Sequence, residues 1–469
     1  MIAIRFAHLL ITAALLVGLL AACCPGGPSS PTLPPTPPAS LWEGFAYDGT
    51  YHIEVDQPAT LIDTPIAIRV TGLQPGQPVT LRAQAPLQGG QTWESWATFQ
   101  ADASGLVDVP RAAPLYGTYT QADGMGLFWS MHPTGVKQGR AGNALDPWVV
   151  TLIAEAQGRR LTSVEVRRLF VLDEKVIRQP VEEEGLVGTL FYPITPGPHP
   201  TVICLGGSEG GLSEGYAALL ACRGYTTLAL AYFGIDPLPP ELVEIPLEYF
   251  ATAIAWLKSQ PAVDPNRIAV MGGSKGAELA LLLGTMHPED IRAVVAYKPS
   301  AVVGMGLYRN PQSYSQGIRS SWSLGGQGLP FVGGGFTIEL LKYILGQPAA
   351  LRSSYEEGLK DQAAVAAATI PVEKINGPVL LLSGTDDQLW PSTPMGDMVM
   401  ARLRAHNHPY PYEHLKYEGA GHEISGLYLP MTGSTQSGNL LLGGSPAANA
   451  RASADSWPKV LAFLETALR

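Results

Sequence analysis

The sequence predicts an α/β domain preceded by an all-β sandwich, and three observations support this division. Residues 42–172 consist of short alternating apolar stretches broken by turn residues. From about Val176, β-branched strands alternate with long helical patterns, as in a mostly parallel sheet with crossover helices. The chain has 469 residues, which is two to three times a typical domain and leaves room for two folded units.

The composition excludes two broad classes of protein. Hydrophobic residues make up 46% of the chain and charged residues 15%, so the chain can bury sizeable cores and is not a solvated, disordered polymer. The formal net charge is −10, whereas a protein that follows nucleic-acid phosphates would carry a basic face. We therefore expect a globular protein with no nucleic-acid partner.

The N-terminus predicts an exported, lipid-anchored protein. An apolar stretch at 9–20 follows a charged start and is too short to span a bilayer, so 1–22 is predicted to be a signal peptide. It ends in LAAC at 20–23, which resembles the bacterial lipobox and makes Cys23 the predicted lipidation site, although an ordinary signal peptide containing a cysteine is the alternative. The linker 23–41 is rich in Pro, Gly, Ser and Thr and is predicted to be an extended spacer. These features predict an extracytoplasmic location, with the membrane as a partner through the anchor.

Residues 42–172 are predicted to form an immunoglobulin-like sandwich. The alternating stretches at 66–70 and 79–82 flank a turn, GLQPG, at 72–76. Aromatic residues are rarely placed in strands without a packing role, and four are predicted to line the inner face: Trp93, Trp96, Phe99 and Trp129.

The α/β domain is predicted to span 176–469. Its strands are predicted at 201–205, 226–231, 267–271, 294–297 and 378–382, with a helix at 246–258. The stretch 302–348 is rich in Gly, Ser and aromatics without clear periodicity, which indicates a long excursion over the functional end of the sheet. Cys204 and Cys222 also fall in this domain. A disulfide between them is one alternative, but we favour two small apolar residues packed in a core.

The sharpest local motif is GGSKG at 272–276, between a predicted strand at 268–271 and a helical pattern at 278–283. A G-x-S-x-G sequence between a strand and a helix is the nucleophile elbow of the α/β-hydrolase fold, which makes Ser274 the candidate nucleophile. The elbow is a sharp turn, so a side chain at Gly272 or Gly276 should clash with neighbouring backbone.

The candidate base is His422, in the sequence EGAGH near the end of the chain. In this fold the acid and then the histidine follow the serine along the chain. A histidine can accept the serine proton near neutral pH because its ordinary pKa is about 6.5. The alternative is a histidine in a surface loop.

Two adjacent aspartates, Asp386 and Asp387, follow the predicted strand at 378–382 and compete for the role of orienting acid. The spacing from Gly384 to the acid, and from the acid to Trp390 and the proline after it, favours Asp387. Asp386 would then cap the turn through its own backbone.

The oxyanion of an acyl-transfer reaction needs two preorganised donors, usually backbone N–H groups. In this fold one comes from the residue after the nucleophile, here Lys275, and the other from the turn after an earlier strand, here Gly207 or Ser208. The alternative for this turn, GGSEGG at 206–211, is a phosphate-binding loop, but it lacks the G-x-G-x-x-G spacing.

Taken together, these motifs resemble one family, the acyl-CoA thioesterases grouped with bile acid-CoA:amino acid N-acyltransferase. The resemblance runs from about residue 50 to the C-terminus. It rests on Ser274, Asp386, Asp387, Trp390 and five segments: GLQP at 72–75, DGMGLFWSM at 123–131, LAYFG at 230–234, IPLEYF at 245–250 and GHEI at 421–424.

The resemblance implies attack of Ser274 on an acyl thioester, an acyl-enzyme, and its hydrolysis by a water that His422 activates, with no cofactor and no metal. The amino-acid-conjugating branch uses a cysteine nucleophile, so the serine favours hydrolysis. Family members are intracellular, whereas this chain carries an export signal. A fatty-acyl ester, a lactone or a thioester without CoA therefore stays open as the substrate.

Two other functions stay open at this level. One is an acyltransferase that moves the acyl group to an amine or alcohol. The other is a non-catalytic, surface-anchored binding protein, which would be expected to carry a broken triad; the sequence retains all three residues.

Overall fold

A computed structural model describes residues 36–87, 91–134, 145–424 and 427–468. Pro37–Arg469 forms one compact unit. The predicted signal peptide at 1–22, Cys23 and the predicted linker as far as residue 35 lie outside the described residues.

The N-terminal part is a sandwich of two sheets. Its described residues form ten strands: β1 (His52–Val55), β2 (Ala59–Leu61), β3 (Ile68–Thr71), β4 (Pro78–Leu87), β5 (Gln91–Gln100), β6 (Val107–Asp108), β7 (Tyr116–Gly117), β8 (His132–Thr134), β9 (Trp148–Ala156) and β10 (Arg159–Leu169). The smaller sheet has the order β1-β3-β6, and the larger has the order β2-β10-β9-β4-β5-β7, with β8 paired to β5. All pairs are antiparallel except β2 with β10. A short helix, α1 (Gly126–Trp129), follows β7.

Strand alternation places the sandwich core and corrects one predicted core residue. Side chains on a strand point alternately to opposite faces, and β5 pairs with β4 without a register shift. Phe99 is fully buried, and Trp93, on the same face, packs against the core together with Trp129. Trp96 lies three residues from both Trp93 and Phe99, so it points to the other face and is only half-buried. The prediction that Trp96 lines the inner face is therefore wrong.

The second part contains an eight-stranded sheet. Its strands are β11 (Val176–Val181), β12 (Val187–Pro193), β13 (His199–Leu205), β14 (Thr226–Ala231), β15 (Val263–Gly273), β16 (Ile291–Tyr297), β17 (Val379–Gly384) and β18 (Tyr412–Tyr417). The order is β11-β12-β14-β13-β15-β16-β17-β18. The pairs β11–β12 and β12–β14 are antiparallel and all the others are parallel, which gives the α/β-hydrolase sheet.

Helices cover this sheet and connect its strands. They are α2 (Glu214–Ala221), α3 (Glu248–Ser259), α4 (Lys275–Met286), α5 (Ile338–Ile344), α6 (Arg352–Gly358), α7 (Gln362–Ala368), α8 (Ser392–Ala405) and α9 (Pro446–Ala467). Along β13, Val202 and Cys204 belong to one buried cluster, whereas Ile203 and Leu205 belong to another. The central strands are thus buried on both faces, as a parallel sheet requires. The cluster with Val202 continues into the sandwich core.

The excursion predicted at 302–348 is more ordered than its composition indicates. Isolated bridges join Val302 to Thr369 and Gly304 to Val332. Trp322–Leu324 pairs with Ile245–Pro246 and with Gln327–Gly328 in a small three-stranded sheet. These contacts order the excursion internally and hold it against the segment before α3 and the residue after α7.

Both cysteines of this part are free. Cys204 is buried on β13, and Cys222 is half-buried just after α2. Packing rather than a disulfide is therefore their structural role. Within the described parts of the chain, no helix has the length and apolar character that crossing a bilayer requires.

Candidate active site

Ser274 occupies the sharp turn between β15 and α4. Its backbone has φ 56° and ψ −120°, a region that residues other than glycine rarely adopt. The Ser274 N–H donates to the carbonyl of Tyr297 at 2.8 Å, and the Ser274 carbonyl accepts from the N–H groups of Ala277 and Glu278 at 2.9 and 3.1 Å. The neighbouring strand and the helix thus hold the strained residue in place.

The two flanking glycines are required by close backbone contacts. A Cβ atom on Gly272 would lie 2.1 Å from the carbonyl oxygen of Gly276, and one on Gly276 would lie 2.3 Å from the carbonyl oxygen of Gly206. Both distances are far below van der Waals contact. The clash expected from the motif therefore exists at both positions.

The structure brings Ser274, His422 and Asp387 together. His422 Nε2 lies 3.1 Å from Ser274 Oγ, and His422 Nδ1 lies 2.8 Å from Asp387 Oδ2. His422 is 4% exposed and Asp387 0%. Because an ionised carboxylate only accepts hydrogen bonds, Nδ1 carries the proton in neutral His422, and Nε2 is free to accept the proton of the serine hydroxyl.

The two aspartates hold different partners. Asp387 Oδ1 accepts from the backbone N–H groups of Leu389 and Trp390 at 3.0 and 3.2 Å, and its Oδ2 accepts from Ser392 Oγ at 2.6 Å as well as from His422. Four donors therefore fix this carboxylate towards the histidine.

Asp386 points elsewhere. Its Oδ1 accepts from Gln388 Nε2 at 2.5 Å, and its Oδ2 accepts from the Gly444 N–H at 3.0 Å. The Asp386 side chain thus ties its own turn to the loop before α9, rather than to His422.

The expected oxyanion donors lie on both sides of the nucleophile. Lys275 is the first residue of α4, where a backbone N–H has no partner inside the helix. A Cβ atom on Gly207 would lie 3.4 Å from Ser274 Cβ, so the turn after β13 lies against the nucleophile. The Gly207 N–H donates to Glu209 Oε1 at 2.8 Å. Ser208 is exposed.

A group of buried polar side chains surrounds the start of α4. Lys275 Nζ donates to Glu278 Oε2 at 2.9 Å and to Ser321 Oγ at 2.8 Å. Glu278 Oε1 accepts from the Gly304 N–H at 3.0 Å and from Trp322 Nε1 at 2.7 Å. A buried ion pair therefore joins the elbow helix to the excursion.

Two further features border the triad. The ring of Trp390 packs edge-on against His422, with ring centroids 5.9 Å apart. A narrow cavity between Trp390 and Glu278 has mainly apolar walls, which include Val302, Val332 and Met395. The site thus combines a polar reaction centre with an apolar flank.

Sequence reasoning did not identify Glu209, Glu278, Trp322 or Tyr232. Tyr232 and Trp322 reach the site through contacts between segments far apart in the chain. Glu209 is only two residues from Gly207, whose N–H it accepts from. One local signal did exist, because Lys275 and Glu278 are three residues apart and so lie on one face of a helix. In the described parts of the chain, no three His, Cys, Asp or Glu side chains are grouped as a metal site would need.

Family models match most of the chain. The model described as "Acyl-CoA thioester hydrolase/BAAT N-terminal region" matches residues 63–183, and "BAAT / Acyl-CoA thioester hydrolase C terminal" matches residues 245–469. The two matches cover the sandwich from residue 63 onward and the segment that contains Ser274, Asp387 and His422.

Several curated proteins are similar over nearly their whole length. Mitochondrial acyl-coenzyme A thioesterase 2 of Mus musculus is 32% identical over 419 residues, 87% of this chain and 87% of its own. Acyl-coenzyme A thioesterase 1 of Homo sapiens is 33% identical over 86% of this chain and 93% of its own. The peroxisomal succinyl-coenzyme A thioesterase of Mus musculus is 30% identical over 86% and 93%, respectively.

Proposed function

The chain belongs to the acyl-CoA thioester hydrolase/BAAT family, and from that premise we propose that it is a serine hydrolase that cleaves acyl thioesters through an acyl-enzyme. The observation that carries the proposal is the continuous hydrogen-bonded series from Ser274 Oγ through His422 to Asp387. In this proposal the three residues are nucleophile, general base and orienting acid.

The first half-reaction forms the acyl-enzyme. Ser274 Oγ attacks the thioester carbonyl carbon while its proton passes to His422 Nε2. The negative charge on the carbonyl oxygen is stabilised by the Lys275 N–H and by an N–H of the turn at 206–208. The C–S bond then breaks, and the thiol leaves with the proton that His422 returns.

The second half-reaction regenerates the enzyme. A water molecule gives a proton to His422 Nε2 and attacks the acyl carbon, after which the bond to Ser274 Oγ breaks and the hydroxyl recovers its proton. Coenzyme A is the proposed thiol because the curated relatives are named as acyl-CoA thioesterases. Water is the proposed acceptor because the nucleophile is a serine, whereas the amino-acid-conjugating members of the family use cysteine.

The test combines turnover with active-site labelling. Purified protein and Ser274→Ala are assayed on acyl-CoA thioesters and p-nitrophenyl esters of varied chain length, and both are treated with a fluorophosphonate probe. We expect hydrolysis by the wild type and one label per chain at Ser274, with both lost in Ser274→Ala. A label on another residue, or full turnover by Ser274→Ala, would refute the assignment. Transfer to an added amine or alcohol in preference to water would replace hydrolysis by the acyltransferase alternative.

The location is a separate part of the proposal. The stretch at 9–20, the LAAC sequence at 20–23 and the Pro-rich linker support an extracytoplasmic lipoprotein anchored through Cys23. Cys23→Ser should release the protein from the membrane fraction or stop its maturation. An unmodified N-terminus with unchanged membrane fractionation would contradict the anchor, without bearing on the hydrolase chemistry.

A further inference from the structure

The two expected halves of the oxyanion hole lie on segments that are distant in sequence. One is the start of α4 at Lys275, and the other is the turn at 206–208. Oxyanion stabilisation is sensitive to geometry, because the donors must lie about 2.7–3.1 Å from the position that the charged oxygen will occupy. Other residues must therefore fix the distance and orientation between Lys275 and the turn at 206–208.

Tyr232, the residue after β14, makes direct contact with the turn. Its hydroxyl donates to the carbonyl of Gly206 at 2.6 Å and approaches the carbonyl of Gly207 at 3.4 Å. A peptide unit is planar, so holding the carbonyl of residue 206 also fixes the direction of the Gly207 N–H. The weaker contact constrains the Ser208 N–H in the same way. Both candidate donors of this turn are thus oriented by one hydroxyl.

The Tyr232 side chain is itself fixed by its surroundings. It is 2% exposed, and its ring packs against Phe233, Phe250 and Trp322 with centroid separations of 5.2, 5.6 and 5.7 Å. Burial, with a smaller contribution from the charges of Glu209 and Glu278, raises the pKa of Tyr232 well above its ordinary value. The hydroxyl therefore stays protonated and remains a donor at neutral pH.

The same ring connects to the other half of the hole. The Trp322 indole that packs on Tyr232 donates to Glu278 at 2.7 Å, and Glu278 pairs with Lys275 at 2.9 Å. These side chains are buried, with at most 2% exposed. A series of buried contacts therefore runs from the turn, through Tyr232, Trp322 and Glu278, to the residue after the nucleophile.

We propose that Tyr232 is a positioning residue that orients the oxyanion-hole turn and, through Trp322 and the Lys275–Glu278 pair, holds it in register with the nucleophile elbow. This inference rests on the proposed function, because an oxyanion hole has meaning only if Ser274 forms a tetrahedral intermediate. It predicts that loss of the Tyr232 hydroxyl weakens binding of the transition state much more than binding of the substrate.

The test compares Tyr232→Phe with Tyr249→Phe. Tyr249 is a matched control, because its ring packs on Phe250 at 5.4 Å and its hydroxyl also bonds to backbone. It donates to the carbonyl of Ala231 at 2.7 Å and accepts from the Val187 N–H at 3.1 Å, and neither group belongs to the turn. Each protein is assayed for kcat and KM on an acyl-CoA thioester. Each is also inhibited by an acyl trifluoromethyl ketone, which forms a tetrahedral adduct with the serine, and by an S-alkyl-CoA thioether, which forms none.

Tyr232→Phe should lower kcat and the affinity for the ketone by about 10-fold to 10²-fold, somewhat less than removing an oxyanion donor outright. KM and the affinity for the thioether should change by no more than about threefold, because the contacts that bind the substrate in its ground state are unchanged. Tyr249→Phe should resemble the wild type in all four quantities. Trp322→Phe, which keeps a ring but loses the bond to Glu278, should shift kcat in the same direction and serves as the second variant.

Two outcomes overturn the inference while leaving the proposed function intact. One is equal behaviour of Tyr232→Phe and Tyr249→Phe, and the other is an equal loss of affinity for the ketone and for the thioether, which would indicate a purely structural role. A wild type that neither cleaves thioesters nor reacts with the ketone would instead refute the proposed function, and the inference with it.

Discussion

Asp386 and Asp387, in the loop just after β17, are neighbours in the chain but have different roles. The Asp387 carboxylate accepts from His422 and from three donors of its own turn, whereas the Asp386 carboxylate accepts from Gln388 and from the Gly444 N–H. The first set of bonds presents a carboxylate to the imidazole, and the second fastens one loop to another. The two carboxylates have the same chemistry, so their different roles arise from their directions and from the complete burial of Asp387.

Substitution of each aspartate by asparagine should separate these roles. Asp387→Asn should lower kcat by about 10³-fold to 10⁴-fold, because an amide does not hold the imidazole in the tautomer that leaves Nε2 free. Asp386→Asn, the matched control, keeps an acceptor for the loop and should cost much less. Steady-state kinetics on an acyl-CoA substrate measures both, and the reverse ranking would assign the role to Asp386.

Glu209 holds one of the expected oxyanion donors in the free protein. Its Oε1 accepts from the Gly207 N–H at 2.8 Å, so a substrate carbonyl must displace this carboxylate before that N–H can bind it. Glu209 is exposed, so water replaces the lost partner at little cost. We expect Glu209→Ala to raise the second-order rate of fluorophosphonate labelling severalfold, a range set by the modest net strength of such hydrogen bonds.

Glu209→Gln provides the control for this prediction, because it retains the length and an acceptor oxygen but no charge. Its labelling rate should lie between those of the wild type and Glu209→Ala. A slower reaction of Glu209→Ala would show instead that the carboxylate supports the turn.

The juxtaposition of Ser274, His422 and Asp387 was predictable from sequence, but the residues that position the neighbouring turn were not. Ser274 has flanking glycines, a strand before it and a helix after it, and His422 has a glycine loop near the chain end. Such signals are local. Tyr232 carries no comparable local pattern, because it acts through a backbone carbonyl that only the folded chain brings near. Glu209 is close to Gly207 in the sequence, but its hydrogen bond to the Gly207 N–H depends on the conformation of the turn.

At the scale of elements, periodicity predicted the type of each element better than its ends or its faces. The helix predicted at 278–283 begins at Lys275, directly after the nucleophile, because the elbow turn supplies its first hydrogen bonds. The aromatic character of Trp96 predicts an inner-face position, but the alternation of side chains along β5 places Trp96 on the other face of the sheet from Phe99. The order within the excursion at 302–348 could not be predicted from sequence periodicity, since it depends on bridges and a short strand pair with residues distant in the chain.

His414 on β18 packs against α8, and we expect it to make the free energy of unfolding depend on pH. His414 has a 4% exposed side chain, with Nε2 at 2.8 Å from Ser383 Oγ and Nδ1 at 3.1 Å from Asp397 Oδ1. Burial lowers the pKa of His414 below 6.5, against the opposing effect of Asp397. Below about pH 6.5 the unfolded chain therefore binds more protons at this position than the folded chain.

The contribution of neutral His414 to the free energy of unfolding should be fully present above pH 6.5 and should be lost as the pH falls through the lowered pKa of His414. Urea unfolding at pH 7.5 and pH 5.5 measures this difference in the free energy of unfolding. His414→Gln should reduce the difference between the two pH values but not remove it, because burial also lowers the pKa of His287. An unchanged difference in His414→Gln would exclude the contribution of His414.

At the scale of the whole molecule, a buried polar cluster joins the sandwich to the catalytic part. Asp63, in the turn after β2, has a fully buried side chain that pairs with Arg223 at 2.5 Å and accepts from Trp457 Nε1 on α9 at 2.6 Å. Arg168 on β10 is also buried. Its burial lowers its pKa to about 10, although the nearby charge of Asp63 opposes this shift. The Asp63 carboxylate thus binds Arg223 and the Trp457 indole directly, and it acts on Arg168 through its charge.

The apolar core also continues across this junction, with Leu81 and Phe99 of the sandwich in the same buried cluster as Val202 of β13 and Trp457 of α9. The two parts share a core, so neither buries its apolar surface completely without the other. They should therefore unfold together in one transition, and damage at the junction should lower the stability of both.

Asp63→Ala should lower the free energy of unfolding by about 3–5 kcal/mol, the usual cost of removing one partner from a buried charge pair. The loss exceeds that of a surface pair because buried Arg168 and the Trp457 indole lose their acceptor or counter-charge while they remain out of water. Asp108→Ala is the control. It removes longer pairs with two exposed arginines, Arg69 at 3.6 Å and Arg111 at 3.8 Å, and should cost about 1 kcal/mol or less. Urea unfolding, followed by tryptophan fluorescence and by loss of activity, should give coincident transitions for the wild type. If Asp63→Ala unfolds the sandwich while the catalytic part keeps its activity, the two parts are independent and the junction does not couple them.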